Sequence, residues 1–540
     1  MPAAPRSSFV PSCEIVKTAI FQGNPVKKSH KDKSGHPVLA VMDIGAHLAR
    51  LQIAQMTEDG GLETLENVAQ PLPLGPDLYG QSPQISAANT RLVGETVNDF
   101  NRLLRDYRVT TCKAVVTGAL REAANLEMFQ DRVRQLSGVT LEVLEETEEI
   151  RLLFRAIRAE LGERYGFSRC NAVVCVIGPD VSQVLFLRHG HIHSAETVRL
   201  GTLRLRAELG GPVSPQRLRE LTDPFVGAVI NGLARMTAGE KPELFIAVGS
   251  AVRALVELGS TAPRQPVISI SRQGFAQRFR AVAGKPLTTL AARTRLGDAV
   301  AESLEPCANM LDHFFDITAA DRLVVPMIST RDALLRDLLR EATGGADDFI
   351  PEILSAARHL GGKYQFDQRH ADTVAKLALT LFDALPEVHG LGDRDRLLLE
   401  LAALLHDIGF FVSSRQHHKH SWYLLSNSEI PGIAPGEQQI LAAVARYHRR
   451  ATPRLAHPEF AALAPASRVR VSKLAALLRV ADALDRSHRN KVNALRVELK
   501  DDKVELHADD ADDLTLERFG LRKKADLFRE LFGLRITLAE

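Results

Sequence analysis

Residues Pro37–Met56, "PVLAVMDIGAHLARLQIAQM", hold two apolar runs separated by Asp43-Ile44-Gly45. Short apolar runs bounded by a glycine turn read as strands. A strand–turn–strand hairpin of this kind presents backbone N–H groups to a phosphate and leaves the aspartate available for a metal. The pattern returns at Asn171–Gly190, "NAVVCVIGPDVSQVLFLRHG", and a further apolar strand leads into glycine at Leu244–Ala251, "LFIAVGSA". Between the two hairpins, the sequence predicts helices over Ser86–Tyr107 and Thr147–Leu161, with strands over Cys112–Thr117 and Thr140–Glu145. Two α/β halves, each opened by the same hairpin, imply a duplicated two-lobe fold with a phosphate or nucleotide between the lobes.

Such a pair of halves resembles the actin-like (ASKHA, ribonuclease H-like) architecture. The second half of the chain is different in character. In Arg369–Leu385, "RHADTVAKLALTLFDAL", His370 shares a helical face with Val374, Leu377 and Leu381. Leu399, Ala402 and Ala403 lead in the same way to His406-Asp407, Leu441 and Val444 to His448, and Leu474 and Leu478 to Asp482. Four helices therefore aim imidazoles or carboxylates into an apolar core. A carboxylate there must pair, protonate or bind a cation, and a shared divalent metal satisfies the whole set.

The pieces "RHADTVAKLALTLFDAL", "ALLHDIG", "HHKHSWYLLSNS", "ARYHRR" and "KLAALLRVADALD" together resemble the HD phosphohydrolase superfamily. The metal ligands implied are His370, His406, Asp407, His420, His448 and Asp482; His417 and His418 are alternatives to His420 that spacing leaves open. Imidazole and carboxylate donors suit Mg, Mn, Fe or Zn, and a metal among them serves phosphoester or phosphoanhydride hydrolysis. Arg446, Arg449, Arg450, Lys419 and Lys473 are candidate cations for an anionic substrate.

The 540 residues carry a net charge of +2, 45% hydrophobic residues and 25% charged ones, which fits a multidomain globular protein. That charge gives no reason to expect nucleic acid as a partner. No apolar run is long enough to span a membrane, and no signal peptide is evident at the start. Five cysteines without a CxxC pair point to a reducing, cytoplasmic setting.

The segments Met42–Leu51, "ALREAANLEMF", "EETEEIRLLF" and "ETVRLGTLRL", with the helical "HKHSWYLLSNSEIPGI" and "YHRR", are similar to the Ppx/GppA family of exopolyphosphatases and guanosine pentaphosphate phosphatases. The resemblance runs from about Val38 to the C-terminus. It implies Mg2+- or Mn2+-dependent hydrolysis of inorganic polyphosphate or a guanosine polyphosphate, and a homodimer. It places the catalytic roles on Glu149, Asp43 and Arg121, and the phosphate loops at Gly45, Ala46, Gly178 and Gly249. The loops depart from the family pattern. Ala46-His47-Leu48 stands where Ser-Asn-Ser is usual, and Val176-Ile177-Gly178-Pro179-Asp180-Val181 where Asp-Ile-Gly-Gly-Gly-Ser is usual. Gly249-Ser250-Ala251-Val252-Arg253 lacks a second glycine. Valine binds no metal and Pro179 removes an N–H donor, so weakened chemistry between the lobes is expected.

The chain is expected to divide into a basic tail (1–36), lobe I (37–170), lobe II (171–340), an all-helical HD domain (345–492) and a small α/β cap (493–540). The cap's "ALRVELKDDKVELHA" reads as a hairpin about Asp501-Asp502, followed by a helix and a last strand, "LRITL".

Overall fold

The computed structural model describes residues 36–539 except 80–81, 209–214, 236–238, 240, 259–264, 295–297, 346–348, 493 and 509–512. The expected basic tail lies outside the described residues, apart from its last position.

Two sheets carry the front of the chain. The first contains β1 (Val38–Ile44), β2 (Leu48–Met56), β3 (Leu62–Pro71), β4 (Thr111–Val116) and β5 (Glu142–Val143) in the order β3-β2-β1-β4-β5. The second contains β6 (Ala172–Ile177), β7 (Ser182–Arg188), β8 (His191–Val198), β9 (Leu244–Val248), β10 (Val267–Ser271) and β11 (Arg322–Pro326). Read from its β8 edge, its order is β8-β7-β6-β9-β11-β10. Both sheets begin as an antiparallel three-strand meander, and the first strand of each then pairs in parallel with a later strand, β4 or β9. This is the duplication that the repeated hairpins predicted. Every residue of β1 is buried, as its continuous apolar run requires of a strand covered on both faces.

The lobes are interlocked rather than strung in series. The helix Thr330–Ala342 follows β11 but packs on β1, β2 and the helix Glu146–Leu161. Beyond it, the helices between Ile350 and Leu484 form an all-α region. Its first helix, Ile350–Lys363, is pinned to β8 by Glu352, which is 0% exposed. The Glu352 carboxylate accepts from Ile192 N at 2.9 Å and pairs with His191 Nδ1 at 3.1 Å and Arg158 Nη1 at 3.3 Å. One apolar cluster runs from Leu39 and Val174 through Phe349 and Leu398 to Phe528, so lobes, helices and cap share a core.

The cap contains β12 (Arg496–Lys500), β13 (Lys503–His507) and β14 (Arg535–Leu538), with the hairpin turn at Asp501-Asp502 as expected. Where one helix was expected, two occur, Thr515–Lys524 and Asp526–Phe532. The break falls where Asp526 accepts from its neighbour Leu527 N at 2.8 Å and pairs with Arg479 at 2.7 Å, restarting the helix against the domain beneath.

The seam between lobe II and the helical region includes two imidazoles, His193 and His359, with ring centroids 3.5 Å apart. Burial, His193, Lys363 and Arg188 push His359 down to about 4. Its folded value lies below the ordinary 6.5, so the seam is favoured above that pH and weakened as pH falls towards about 4. The melting temperature of His359→Gln is therefore expected to fall less than that of wild type between pH 7 and pH 4.5. Parallel loss in both proteins would exclude His359 as the source.

Candidate functional sites

The first site is the cleft between the lobes. Gly45 N donates to Leu48 O at 3.0 Å and Gly178 N to Val181 O at 3.1 Å, closing the turns of β1–β2 and β6–β7 in the same way. Both turns face the cleft, together with Ala46 and Gly249. Gly249 has φ 148°, and a Cβ there would stand 2.3 Å from Ile177 O, so only glycine lets the turn after β9 lie against the end of β6. Asp43, 5% exposed, accepts from Thr117 Oγ1 at 2.7 Å and pairs with Arg50 at 3.3 Å. Glu149 pairs with Arg121 at 2.5 Å and accepts from Thr330 Oγ1 at 3.0 Å. Asp43, Arg121 and Glu149 thus all line one cleft. Arg121 Nε is buried and has no hydrogen-bond partner among the described residues.

Asp180 changes the character of this cleft. Its carboxylate is 1% exposed, accepts from Ala119 N at 3.0 Å and receives the Tyr79 hydroxyl. Tyr79 in turn contacts His47 Nε2 at 2.6 Å. Lobe II therefore places a carboxylate on an N–H donor of lobe I.

The second site lies in the helical region. His370 is in the first turn of the helix Gln368–Ala384; His406 and Asp407 end the helix Asp393–Leu405; Asp482 is near the end of the helix Pro465–Leu484. His417 opens the helix His417–Ser426, and His448 follows the helix Pro435–Arg446. Asp407 stands at the centre. Its Oδ1 lies 3.3 Å from His417 Nε2 and 3.4 Å from His448 Nε2; its Oδ2 lies 3.5 Å from His406 Nε2 and 3.9 Å from His370 Nε2. His370 Nε2 is 3.8 Å from Asp482 Oδ1.

All four imidazoles are held from behind. Their Nδ1 atoms meet Asp485 Oδ2 (2.8 Å), Ala403 O (2.8 Å), Ser414 O (3.2 Å) and Ala445 O (2.7 Å) for His370, His406, His417 and His448 respectively. A proton on each Nδ1 satisfies these contacts and leaves the Nε2 lone pairs pointing at one another. Burial drives His448 well below its ordinary range, and burial likewise lowers His417. His370 Nε2, His406 Nε2 and Asp407 Oδ1 are buried without a hydrogen-bond partner among the described residues. Inward lone pairs, two carboxylates and three orphaned acceptor atoms fit a divalent cation. Three overlapping triads have ligand atoms within 4.8 Å of one another: His370-His406-Asp407, His406-His448-Asp482 and Asp407-His417-His448.

Two regions match family models: residues 53–205 the Ppx/GppA phosphatase family, and residues 354–528 Ppx/GppA phosphatase, domain III. Together they cover more than half of the chain. The chain belongs to the Ppx/GppA phosphatase family. Among its relatives are the guanosine-5'-triphosphate,3'-diphosphate pyrophosphatases of Vibrio vulnificus, 23% identical over 84% of this chain and 88% of that protein, and of Pseudoalteromonas translucida, 24% identical over 76% and 80%. A solved exopolyphosphatase from Cytophaga hutchinsonii shares the fold, with a TM-score of 0.51, 16% identity, and coverage of 57% of this chain and 100% of that one.

In this Ppx/GppA chain, one expected site residue stands apart from the others. His420 is only half-buried and lies outside the cluster, while His417 lies beside Asp407 and His448. The reason is local. The helix opens at His417 against the His406–Gly409 turn, where Phe410 stacks on the His417 ring at 3.9 Å, and His420 comes one turn later. His418 is buried beside Arg446, Arg449 and Arg450 and is pushed down to about 4, chiefly by burial. Two candidate cations are engaged elsewhere: Lys473 donates to His389 O at 2.6 Å and Arg446 pairs with Glu459 at 3.2 Å. Periodicity alone did not point to Asp485 behind His370, or to Lys524, whose ammonium reaches Asp482. Asp485 carried a signal, since it lies three residues past Asp482 on the same helical face.

Proposed function

We propose that this Ppx/GppA chain is a metal-dependent phosphohydrolase whose hydrolytic centre is the HD-type His/Asp cluster of the helical region. Its substrate class is a phosphoanhydride or phosphoester, with inorganic polyphosphate and guanosine polyphosphates as first candidates because the relatives named above act on such a compound. The observation that carries the reading is the convergence of His370 Nε2 and His406 Nε2, both buried without a hydrogen-bond partner among the described residues, on the Asp407 carboxylate. His370, His406, Asp407 and Asp482 would hold the cation, with His417 and His448 adjoining through Asp407. A divalent cation supplies the Lewis acidity that phosphoryl hydrolysis needs. The chain's own residues fix the ligand rings from behind, and Arg449 and Arg450 bring positive charge to the neighbourhood of His418. The test is phosphate release from polyphosphate and guanosine pentaphosphate, with metal content, for wild type, Glu149→Ala and Asp407→Ala. Loss in Asp407→Ala with retention in Glu149→Ala supports the reading; the reverse pattern moves hydrolysis to the lobes.

A second reading, hydrolysis between the lobes, is favoured by the meeting of Asp43, Arg121 and Glu149 in one cleft. The loop substitutions and the Asp180 contact argue against efficient turnover there. Asp180→Ala leaves Ala119 N without its acceptor, a cost of about 1–3 kcal/mol in the ligand-free chain. A bound phosphate oxygen recovers it. Polyphosphate is therefore expected to bind Asp180→Ala roughly tenfold more tightly than wild type, measured by calorimetry in the absence of metal. Equal affinities would show that Asp180 does not guard the cleft.

A further inference from the structure

Lys524 belongs to the cap, at the end of the helix Thr515–Lys524, yet its side chain is buried and its ammonium contacts Asp482 Oδ2 at the edge of the His/Asp cluster. A lysine is rarely buried unless paired, and here the pairing is built from several directions. Arg479, 1% exposed, donates through Nε to Lys524 O at 3.2 Å and through Nη2 to Asp526 at 2.7 Å. Its Nη1 lies 3.4 Å from both Tyr447 O and Arg450 O, the residues that bracket the His448 turn. Glu517, 0% exposed, accepts from Ser487 N at 3.1 Å, just past Asp485. At Gly520 a Cβ would lie 3.2 Å from Ala483 O, so the cap helix rests directly on the helix that carries Asp482. The cap is thus joined to the helix that carries Asp482 by buried, directional contacts through Lys524, Arg479 and Glu517.

We propose that Lys524 is a positioning residue of the metal centre: by gripping Oδ2 of Asp482 it turns Oδ1 towards His370, so that the C-terminal cap completes the site. The proposal rests on the reading of the cluster as a metal centre. A carboxylate with one oxygen fixed from outside offers the other as a ligand already ordered, the same service that Asp485 performs for His370.

The experiment titrates Mn2+ into the full chain, stripped with chelator, by calorimetry, for wild type, Lys524→Met, Lys524→Gln, Asp482→Asn and the Asp482→Asn/Lys524→Met double variant. Circular dichroism and melting temperature report folding, and Lys524→Gln, which retains a donor, serves where Lys524→Met does not fold. Mn2+ affinity is expected to fall about 10–100-fold in Lys524→Met and less in Lys524→Gln, while Lys524→Met costs nothing further in the Asp482→Asn background. Folded Lys524 variants with wild-type affinity overturn this proposal alone, as does an undiminished loss in the Asp482→Asn background. Wild type that takes up no Mn2+ overturns both this proposal and the metal-centre reading beneath it. A lysine serving only to neutralise a buried carboxylate for folding would change the melting temperature and leave Mn2+ affinity where it was.

Discussion

Asp407→Ala is expected to abolish the stabilisation that a divalent metal confers and to reduce metal affinity on the order of 10³-fold, about 4 kcal/mol. The size follows from position. Asp407 is within 3.3–3.9 Å of four imidazole Nε2 atoms, whereas each imidazole faces only part of the cluster. Loss of a residue that merely supports a ligand typically costs 10–100-fold, so loss of the proposed central ligand is expected to cost more. Wild type saturated at roughly 100 times its dissociation constant gains about 2.7 kcal/mol of stability. Asp407→Ala at the same metal concentration is expected to gain almost none, which a melting experiment reads without any substrate. Phosphate release is expected to fall in step. An Asp407→Ala chain that is still stabilised by Mn2+ to the wild-type extent would remove Asp407 from the ligand set.

The parts of the molecule that sequence made legible share a physical basis: they are periodic. β1 and β6 stand out because strands covered on both faces need unbroken apolar runs, and His370, His406, His448 and Asp482 stand out because each interrupts an apolar helical face. Spacing leaves His417, His418 and His420 level because they fall within four consecutive residues. The choice among them depends on where Phe410 and the Gly409 turn receive the helix, a contact that periodicity does not encode. Lys524 was illegible for a related reason. It sits in a charged run, Arg522-Lys523-Lys524, that reads as solvated surface, and only the docking of the cap turns one of the three inward. Asp180 accepts from Ala119 N across 61 residues of sequence, a contact made only where the two lobes meet. Long-range polar contacts of this kind leave no spacing signature, and they are the ones that distinguish this chain's two sites.

Gly409→Ala is the change expected to damage fold and site together. A Cβ at Gly409 would stand 2.1 Å from His417 O, 2.4 Å from Ser421 N and 2.8 Å from Ser421 Oγ. Two of those atoms are backbone, so no side-chain rotation relieves the clash; the helix His417–Ser426 has to move. Its movement breaks the bond from Gly409 N to Ser421 Oγ, 2.9 Å long and buried, and draws His417 away from Asp407 and His448. Overpacking of this sort costs about 1–3 kcal/mol, and the broken buried hydrogen bond adds about 1 kcal/mol. A control separates this contact from the general effect of replacing glycine. Gly362 lies in the helix Ile350–Lys363, and a Cβ added there would meet nothing within 4 Å. Gly362→Ala is therefore expected to stabilise by about 0.5–1 kcal/mol through helix propensity. Chemical denaturation of both variants, with Mn2+ titration of each, reads the two effects separately. Gly409→Ala should lose stability and also lose metal affinity to about the extent of His417→Ala, because both remove the His417 imidazole from beside Asp407. If Gly409→Ala were destabilised yet bound Mn2+ as wild type does, the helix would have shifted without carrying a ligand, and His417 would not belong to the centre.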